Sequence, residues 1–404
     1  MKEPKRFVEP VYVTRPTLPD LESLHSKLEE IWHSGWVTNM GPQHDLFESR
    51  VSRYLKAKHL CLFCNGTLAL QLGCQALRLS GEVITTPFTF PATTHVLFWN
   101  RIQPVFCDID PETFNIDPEQ IESLITPSTT AILPVHVFGR PCDTRRIQEI
   151  ADRHGLKVIY DAAHAFGVEC NGEPISSFGD ITMFSFHATK MFHSIEGGAL
   201  SFSDDRITER LNYAKNFGFK NEETIVVPGI NAKMNELQAA VGLLMLDIVE
   251  AERERRKALV HRYHERLVAI PGIHFKDADP ITRHNYYNMP VVVDTEQYGL
   301  SRDELYTALR RYNIYARKYF YPLCSQFQCY RNHPSSSPAN LPVSHYISER
   351  ILILPLYGAL RGGDIDRICD VLAHLYQKNA KKSFYLNMMT ETAHAPKSGW
   401  IPAS

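Results

Sequence analysis

ITMFSFHATKMFHSIEGGAL, residues 181–200, opens on a short β-type run and carries one lysine, Lys190, among Met183, Phe184, Phe186, Met191 and Phe192. Lysine is rarely buried without a partner. Two readings are open from the segment alone. The stem packs while the ammonium reaches water, or the amine is held neutral and nucleophilic, as in Schiff-base lysines. The second needs a site around it, so the flanking chain decides.

Working outward, short apolar β-rich runs over 59–64, 82–86, 104–108, 130–135, 157–161, 181–185 and 198–202 predict seven strands. Helical patterns lie between them over 67–77, 92–100, 118–124 and 143–154. Such alternation predicts an α/β fold with a mostly parallel sheet covered on both faces. Ligands of such sheets gather at the carboxyl ends of the strands. On the N-terminal side, 1–20 reads as an extended arm. A helix follows over 21–34, with Leu21, Leu24, Leu28 and Ile31 spaced for one buried face. The loop SGWVTNMGP (34–42) leads into a second helix over 46–55.

Beyond the sheet, a long helix is predicted over 235–267, then a smaller α+β unit built from 286–293, 302–312, 314–316, 350–355 and 363–377. The division expected is an arm and large α/β domain over 1–250, a small C-terminal α+β domain over 251–380 and a polar tail over 381–404. Two domains suit a length of 404 residues.

Charge excludes some classes of partner. A formal net charge of -2 gives no electrostatic footprint for nucleic acid or an anionic membrane. Arg253, Arg255, Arg256 and Lys257 alternate with Glu250, Glu252 and Glu254, which reads as a solvated helix face. No apolar run reaches membrane-spanning length, and MKEPKRFVEP lacks the apolar core of a signal peptide. Nine scattered cysteines suit reduced thiols and a cytoplasmic location. The pair Cys61 and Cys64 has no second pair at ligand spacing, so no metal site is expected.

The strand ends carry the chemistry. After the first strand, Asn65-Gly66-Thr67 opens a helix whose free amides and dipole favour a phosphate; a plain turn with an N-cap is the simpler alternative. After the second come Phe88 and Phe90, either of which serves to cover a planar ring or to fill the core. Asp161 ends the apolar run Val158-Ile159-Tyr160, as the partner of a cation or as an N-cap. Ser185, Lys190 and Gly197-Gly198 follow the sixth strand. A phosphate cradle, a ring-covering aromatic, a buried carboxylate and an apolar lysine together meet the needs of pyridoxal 5′-phosphate (PLP).

The order N-G-T, T-F-x-A-T (89–93), D-A-A-H, S-F-H-x-T-K, E-G-G resembles the DegT/DnrJ/StrS family of sugar aminotransferases. GINAKMNELQAA (229–240), ARKYFYPL (316–323) and ILPLY (353–357) extend the resemblance over roughly 34–371. It implies the PLP-dependent type I aminotransferase fold, with a seven-stranded sheet and a smaller C-terminal domain. It also implies Lys190 as the Schiff-base lysine, Asp161 as partner of the pyridine nitrogen, and Phe90 as the stacking aromatic. Gly66, Thr67 and Ser185 resemble the phosphate ligands. Asn231 resembles an asparagine reaching the phosphate of a neighbouring subunit, which implies a homodimer with shared active sites. His164 stands where glutamine is frequent, beside the ring oxygen, and is kept as a cofactor contact. His187 approaches the substrate or supports Lys190. The implied reaction moves an amino group from L-glutamate to a nucleotide-linked keto sugar. The nearest match is conversion of dTDP-4-keto-6-deoxy-D-glucose to dTDP-4-amino-4,6-dideoxy-D-glucose, while 4-amino galactose, 3-amino and UDP-linked sugars share the same motifs.

Overall fold

The computed structural model describes residues 3–277 and 279–393, with side chains described through residue 379. Seven apolar segments form the central sheet: β1 (His59–Phe63), β2 (Glu82–Thr85), β3 (Gln103–Phe106), β4 (Thr129–Leu133), β5 (Lys157–Asp161), β6 (Ile181–Ser185) and β7 (Gly198–Phe202). Their spatial order is β1-β7-β6-β5-β4-β2-β3. The neighbours from β6 to β3 pair in parallel, whereas β7 runs antiparallel to both β1 and β6. The mostly parallel sheet expected from the alternation is therefore present. Its strands are apolar on both sides because helices cover both faces.

The helices that pack around this sheet and its neighbouring core include α1 (Leu21–Ser34), α2 (Pro42–Tyr54), α3 (Gly66–Ala76), α4 (Pro91–Trp99), α5 (Thr144–His154), α6 (Asp205–Ala214), α7 (Glu236–Leu267), α8 (Arg302–Arg311) and α9 (Gly362–Ala393). On one face α3, α4 and α6 bury Leu70, Leu97 and Leu211 against Phe63, Ile159 and Met183. On the other, α2 and the first half of α7 enclose Phe186, Met191 and Phe192 with Phe47 and Met234. The aromatic residues flanking Lys190 are thus core, which leaves its amine as the one polar end of a packed segment.

The second half of α7 joins a different cluster. Leu259, Tyr263 and Leu267 pack with α8, α9 and a three-stranded antiparallel sheet of β8 (Ile273–His274), β9 (Met289–Val293) and β10 (Ile351–Leu354). The N-terminal arm docks there too, through parallel pairing of Val11–Tyr12 with Ile314–Tyr315. Among the described residues, no helix is long and apolar enough to cross a membrane.

Three expectations are corrected. The second helix starts at Pro42 rather than 46, because Glu236 caps it from a distance: its carboxylate accepts from the Gln43 and His44 amides at 2.7 and 2.8 Å. In α1 Ile31 is buried and Leu24 and Leu28 are partly buried, Leu24 against the core beneath, but Leu21 is 77% exposed, so the anticipated apolar face is covered except at its first residue. The charged stretch of α7 is not uniformly solvated. Glu252 and Arg256 are both buried and bonded to each other at 2.6 Å, since this face of α7 lies under Gly358 and Tyr287. The helix α9 runs past residue 381 to Ala393; the rest of the anticipated tail, 394–404, lies outside the described residues.

Candidate active site

The antiparallel strand β7 builds the site. Because it begins where its neighbours end, Gly198 is in register with Phe63 of β1 and Ser185 of β6. The E-G-G turn, the end of β6 and the Asn65-Gly66 turn therefore meet at the carboxyl edge of the sheet. Asn65 caps α3 by accepting from the Leu68 amide at 2.8 Å. Gly66 and Thr67, the first two helical residues, keep amides with no intrahelical acceptor, next to the positive end of the helix dipole. A Cβ on Gly66 would sit 3.1 Å from the Ser185 Cβ, and a Cβ on Gly198 would sit 2.6 Å from both N and Cα of Gly66. The turn is thus closed against backbone and has no room for side chains. Gly198→Ala is expected to destabilise the protein by about 1–3 kcal/mol and to weaken phosphate binding at α3 at least about tenfold. Thermal unfolding and a phosphate-competition titration check both effects.

Asp161, at the end of β5, is 4% exposed. Its Oδ2 accepts from Thr93 Oγ1 at 2.8 Å and its Oδ1 from the Ala163 amide at 3.0 Å. Thr93 is itself bonded to Thr89 at 2.8 Å. Burial pushes the carboxyl above its usual range, while the two donors and the charge of Lys190 oppose the shift. A carboxylate so enclosed has capacity left for one cationic N–H.

Lys190 donates its backbone N–H to the His187 carbonyl at 2.8 Å. Among the described residues its Nζ has no hydrogen bond or ion pair and faces the Tyr287 ring, 5.2 Å from the centroid. Burial holds the ammonium below its ordinary value of 10.5, with Tyr319 and Asp161 acting upward and Arg317 downward. A lowered folded pKa means that the unfolded chain binds more protons, so the group penalises folding at neutral pH and the penalty fades as pH rises towards 10.5. Cofactor-free Lys190→Met protein is accordingly expected to be more stable than the parent at pH 7. The gap should close by about pH 10.5, as denaturant midpoints measured across pH would show.

Around these groups lies a cavity of about 250 Å³ whose wall includes Gly66, Thr67, Phe90, Asp161, His164, Ser185 and Lys190. Phe88 is fully buried in a separate aromatic cluster. Phe90, half exposed, is the one that faces the opening. His164 is buried and its ring lies parallel to those of Phe138 and Phe320. Its Nδ1 accepts from the Phe138 amide at 3.2 Å, and burial keeps it far below the usual histidine pKa. A neutral ring accepting at Nδ1 carries its proton on Nε2, and so offers a donor.

Asn231 is placed elsewhere. It is exposed, accepts from Lys233 Nζ at 2.8 Å and does not line this cavity. His187 stands at the mouth, with Nδ1 2.8 Å from Thr189 Oγ1 and Nε2 3.3 Å from Glu196 Oε1. The structure also brings in residues to which the sequence assigned no role: Arg317, Tyr319 and Phe320 on the far wall, Tyr287 over Lys190, and Thr93 on Asp161. The segments 316–323 and 89–93 stand out as motifs, but only folding shows which of their side chains face the opening. A hollow of about 370 Å³ between Arg140 and His261 contains none of the strand-end groups.

These residues fit PLP by their own chemistry. The α3 amides, the glycine-only turn and Ser185 suit a phosphate; the enclosed Asp161 carboxylate suits a protonated ring nitrogen; the unpaired amine of Lys190 suits an aldehyde.

Comparison with known proteins agrees. A transaminase of Escherichia coli described as dTDP-4-amino-4,6-dideoxy-D-glucose transaminase is 42% identical over 363 residues, covering 89% of this chain and 97% of the relative. A Shigella dysenteriae transaminase of the same description is 41% identical over 367 residues, covering 91% and 99%. Among solved structures, DesI in the presence of its TDP-sugar product superposes with a TM-score of 0.89 at 36% identity, covering 95% of this chain and 97% of that one. The model of the DegT/DnrJ/EryC1/StrS aminotransferase family matches residues 20–373. By fold, by the groups gathered at the sheet edge and by sequence, this chain is a member of the DegT/DnrJ/EryC1/StrS aminotransferase family.

Proposed function

We propose that the protein transfers an amino group from L-glutamate to the keto carbon of dTDP-4-keto-6-deoxy-D-glucose, giving dTDP-4-amino-4,6-dideoxy-D-glucose. The observation that carries the reading is the placement of Lys190 and Asp161 on one cavity with the N-terminus of α3. The E. coli relative, 42% identical, directs it to this sugar. Bound PLP supplies an electron sink that stabilises charge at the carbon next to the amine.

The chain's own residues do the rest. Gly66, Thr67 and Ser185 would hold the phosphate, and Phe90 would cover the ring. Asp161 would keep a proton on the pyridine nitrogen, and His164, with its proton on Nε2, would offer a donor to the ring oxygen. Lys190, whose amine is not hydrogen-bonded or ion-paired among the described residues, would remove and return the proton at the substrate carbon, as base and then as acid. Burial lowers its proton affinity below that of an ordinary lysine, which favours the neutral base. His187, bonded to Thr189 and Glu196 at the mouth, braces the Lys190 turn.

Asn231 belongs to the same reading. It lies outside its own chain's cavity, which suits a group that serves the phosphate of a second subunit in a homodimer. The division into a domain over 1–250, a domain over 251–380 and a tail draws support from α7, whose two halves pack in different cores. All nine cysteines are free, in keeping with a reducing cytoplasm.

The test is incubation with glutamate and a panel of dTDP-, UDP- and GDP-linked keto sugars, read by mass spectrometry and proton coupling constants. An equatorial amine at C4 of the dTDP-linked glucose isomer is expected. Amination at C3, or of the galactose isomer, would replace this substrate by another, and turnover of small amino acids alone would refute the sugar reading.

A further inference from the structure

Besides Lys190, the cavity wall carries a second basic side chain, Arg317. Its main chain is clamped to β10, donating to the Ile353 carbonyl at 3.1 Å and accepting from the Ile353 amide at 2.8 Å. Its guanidinium lies 4.2 Å above the Tyr319 ring, and both residues line the cavity with Lys190. Among the described residues no carboxylate pairs with it and its guanidinium makes no hydrogen bond, whereas Arg256 and Arg302 of the same part of the chain are ion-paired. A guanidinium presents five donors in a planar fork that matches a carboxylate. One that is held by stacking, aimed into a cavity and left unpaired is a preformed oxyanion site.

Resting on the proposed reaction, we infer that Arg317 binds the α-carboxylate of the amino donor, and so selects α-amino acids over simple amines. Both substrates of a ping-pong transaminase use one cavity, and each carries an anion. In an amino acid the carboxylate is attached to the carbon that bears the reacting nitrogen. In a nucleotide sugar the diphosphate is separated from C4 by the pyranose ring. A cation on the wall around the reacting lysine therefore suits the carboxylate. The charge of Arg317 is felt at Lys190, where it disfavours the ammonium. A bound carboxylate cancels that repulsion, so occupation of the site should raise the proton affinity of the Lys190 nitrogen. Tyr319 supports the guanidinium from 4.2 Å, and the β10 clamp fixes the main chain that carries it.

The holoenzyme provides two tests. Glutarate, which has carboxylates but no amine, is titrated against the wild type and Arg317→Met while the visible band of the Lys190-linked cofactor is followed across pH. In the wild type the apparent pKa of the band should rise by about one unit, and in Arg317→Met it should stay fixed. Half-reactions are then measured separately by stopped flow. For Arg317→Met, kcat/KM for L-glutamate should fall roughly 100-fold, Arg317→Lys should recover part of that loss, and discrimination against 4-aminobutyrate should largely vanish. The reverse half-reaction, from the dTDP-linked amino sugar, should fall by less than about fivefold. A glutarate shift that persists without Arg317 overturns the inference. So does a loss that is equal in the two half-reactions, or larger with the nucleotide sugar, which would assign the fork to the diphosphate. Failure of the sugar assignment looks different: glutamate would still react in an Arg317-dependent way while no keto sugar accepts the nitrogen.

Discussion

Lys190→Ala is expected to remove the visible absorption of the protein with its cofactor and to lower turnover by at least about 10⁴-fold, the upper range for loss of a positioned acid–base group compounded by loss of the covalent anchor. The expectation follows from the environment of the amine. Its flanking Phe186, Met191 and Phe192 are buried, its Nζ has no ionic partner among the described residues, and burial lowers its proton affinity. At pH 7 a larger share of it is therefore the neutral nucleophile than for a surface lysine. The measurement is borohydride reduction followed by peptide mass spectrometry. Wild-type protein should carry the reduced cofactor on the peptide containing Lys190, and the alanine variant should carry none. A borohydride-stable adduct on another lysine would remove Lys190 from its role. Since the stem contributes little to the core, the fold should survive, and far-UV circular dichroism should be unchanged.

Asp161→Asn is the second large effect. The amide is nearly isosteric: its single oxygen can still accept from the Ala163 amide, which donates to Oδ1 at 3.0 Å, and its NH2 can donate to Thr93 Oγ1, 2.8 Å from the other carboxylate oxygen. What it lacks is negative charge to hold a proton on the pyridine nitrogen. Turnover should fall by about 10³-fold, comparable to removal of one preorganised electrostatic group from an enclosed site, while folding is retained. The pH dependence separates the charge from the shape. Burial raises the folded pKa of Asp161 above 3.8, so the carboxylate form disfavours folding, and stability is lost as pH rises from 3.8 through the folded value. Cofactor-free Asp161→Asn protein should lack that loss and be at least as stable as the parent at pH 7. Undiminished activity in a folded Asp161→Asn protein would dismiss the electron-sink role.

The two variants share a feature: each group is placed at a cost to the empty protein. Asp161 is pressed toward its neutral acid and Lys190 toward its neutral amine. Each strain is relieved by the same ligand, which brings a cationic N–H to one and an aldehyde to the other. Binding of that ligand should therefore stabilise the fold more than either half of the site alone suggests.

Asn65-Gly66-Thr67, Asp161, Ser185 and Lys190 were legible in the chain because a parallel sheet places successive strand ends on one edge. Reading the residue after each strand is then equivalent to reading the site. Phe90 and Phe88, two residues apart, were not separable in that way. Packing put Phe88 among Phe114, Phe138 and Phe320 and left Phe90 at the opening. Local periodicity also failed where long-range contacts overruled it. Glu236 reaches back 193 residues to start α2, and Glu252 and Arg256 turn inward because Tyr287 and Gly358 supply polar partners there. An i,i+4 charge pair looks the same in sequence whether it faces water or a loop.

Sequence alone thus determined the α/β order, the strand-end residues proposed to answer to a phosphate, a ring nitrogen and an aldehyde, and the family. All of these depend on residue type and spacing along successive strands. Tertiary structure alone decided the far wall, where Arg317, Tyr319 and Phe320 come over from the segment after Ile314–Tyr315, and where Tyr287 meets Lys190. It also placed Asn231 outside its own chain's cavity. No spacing rule connects residues 190 and 317; they meet because α7 turns the second core back onto the carboxyl edge of the sheet, and the antiparallel β7 brings Gly198 to the same edge.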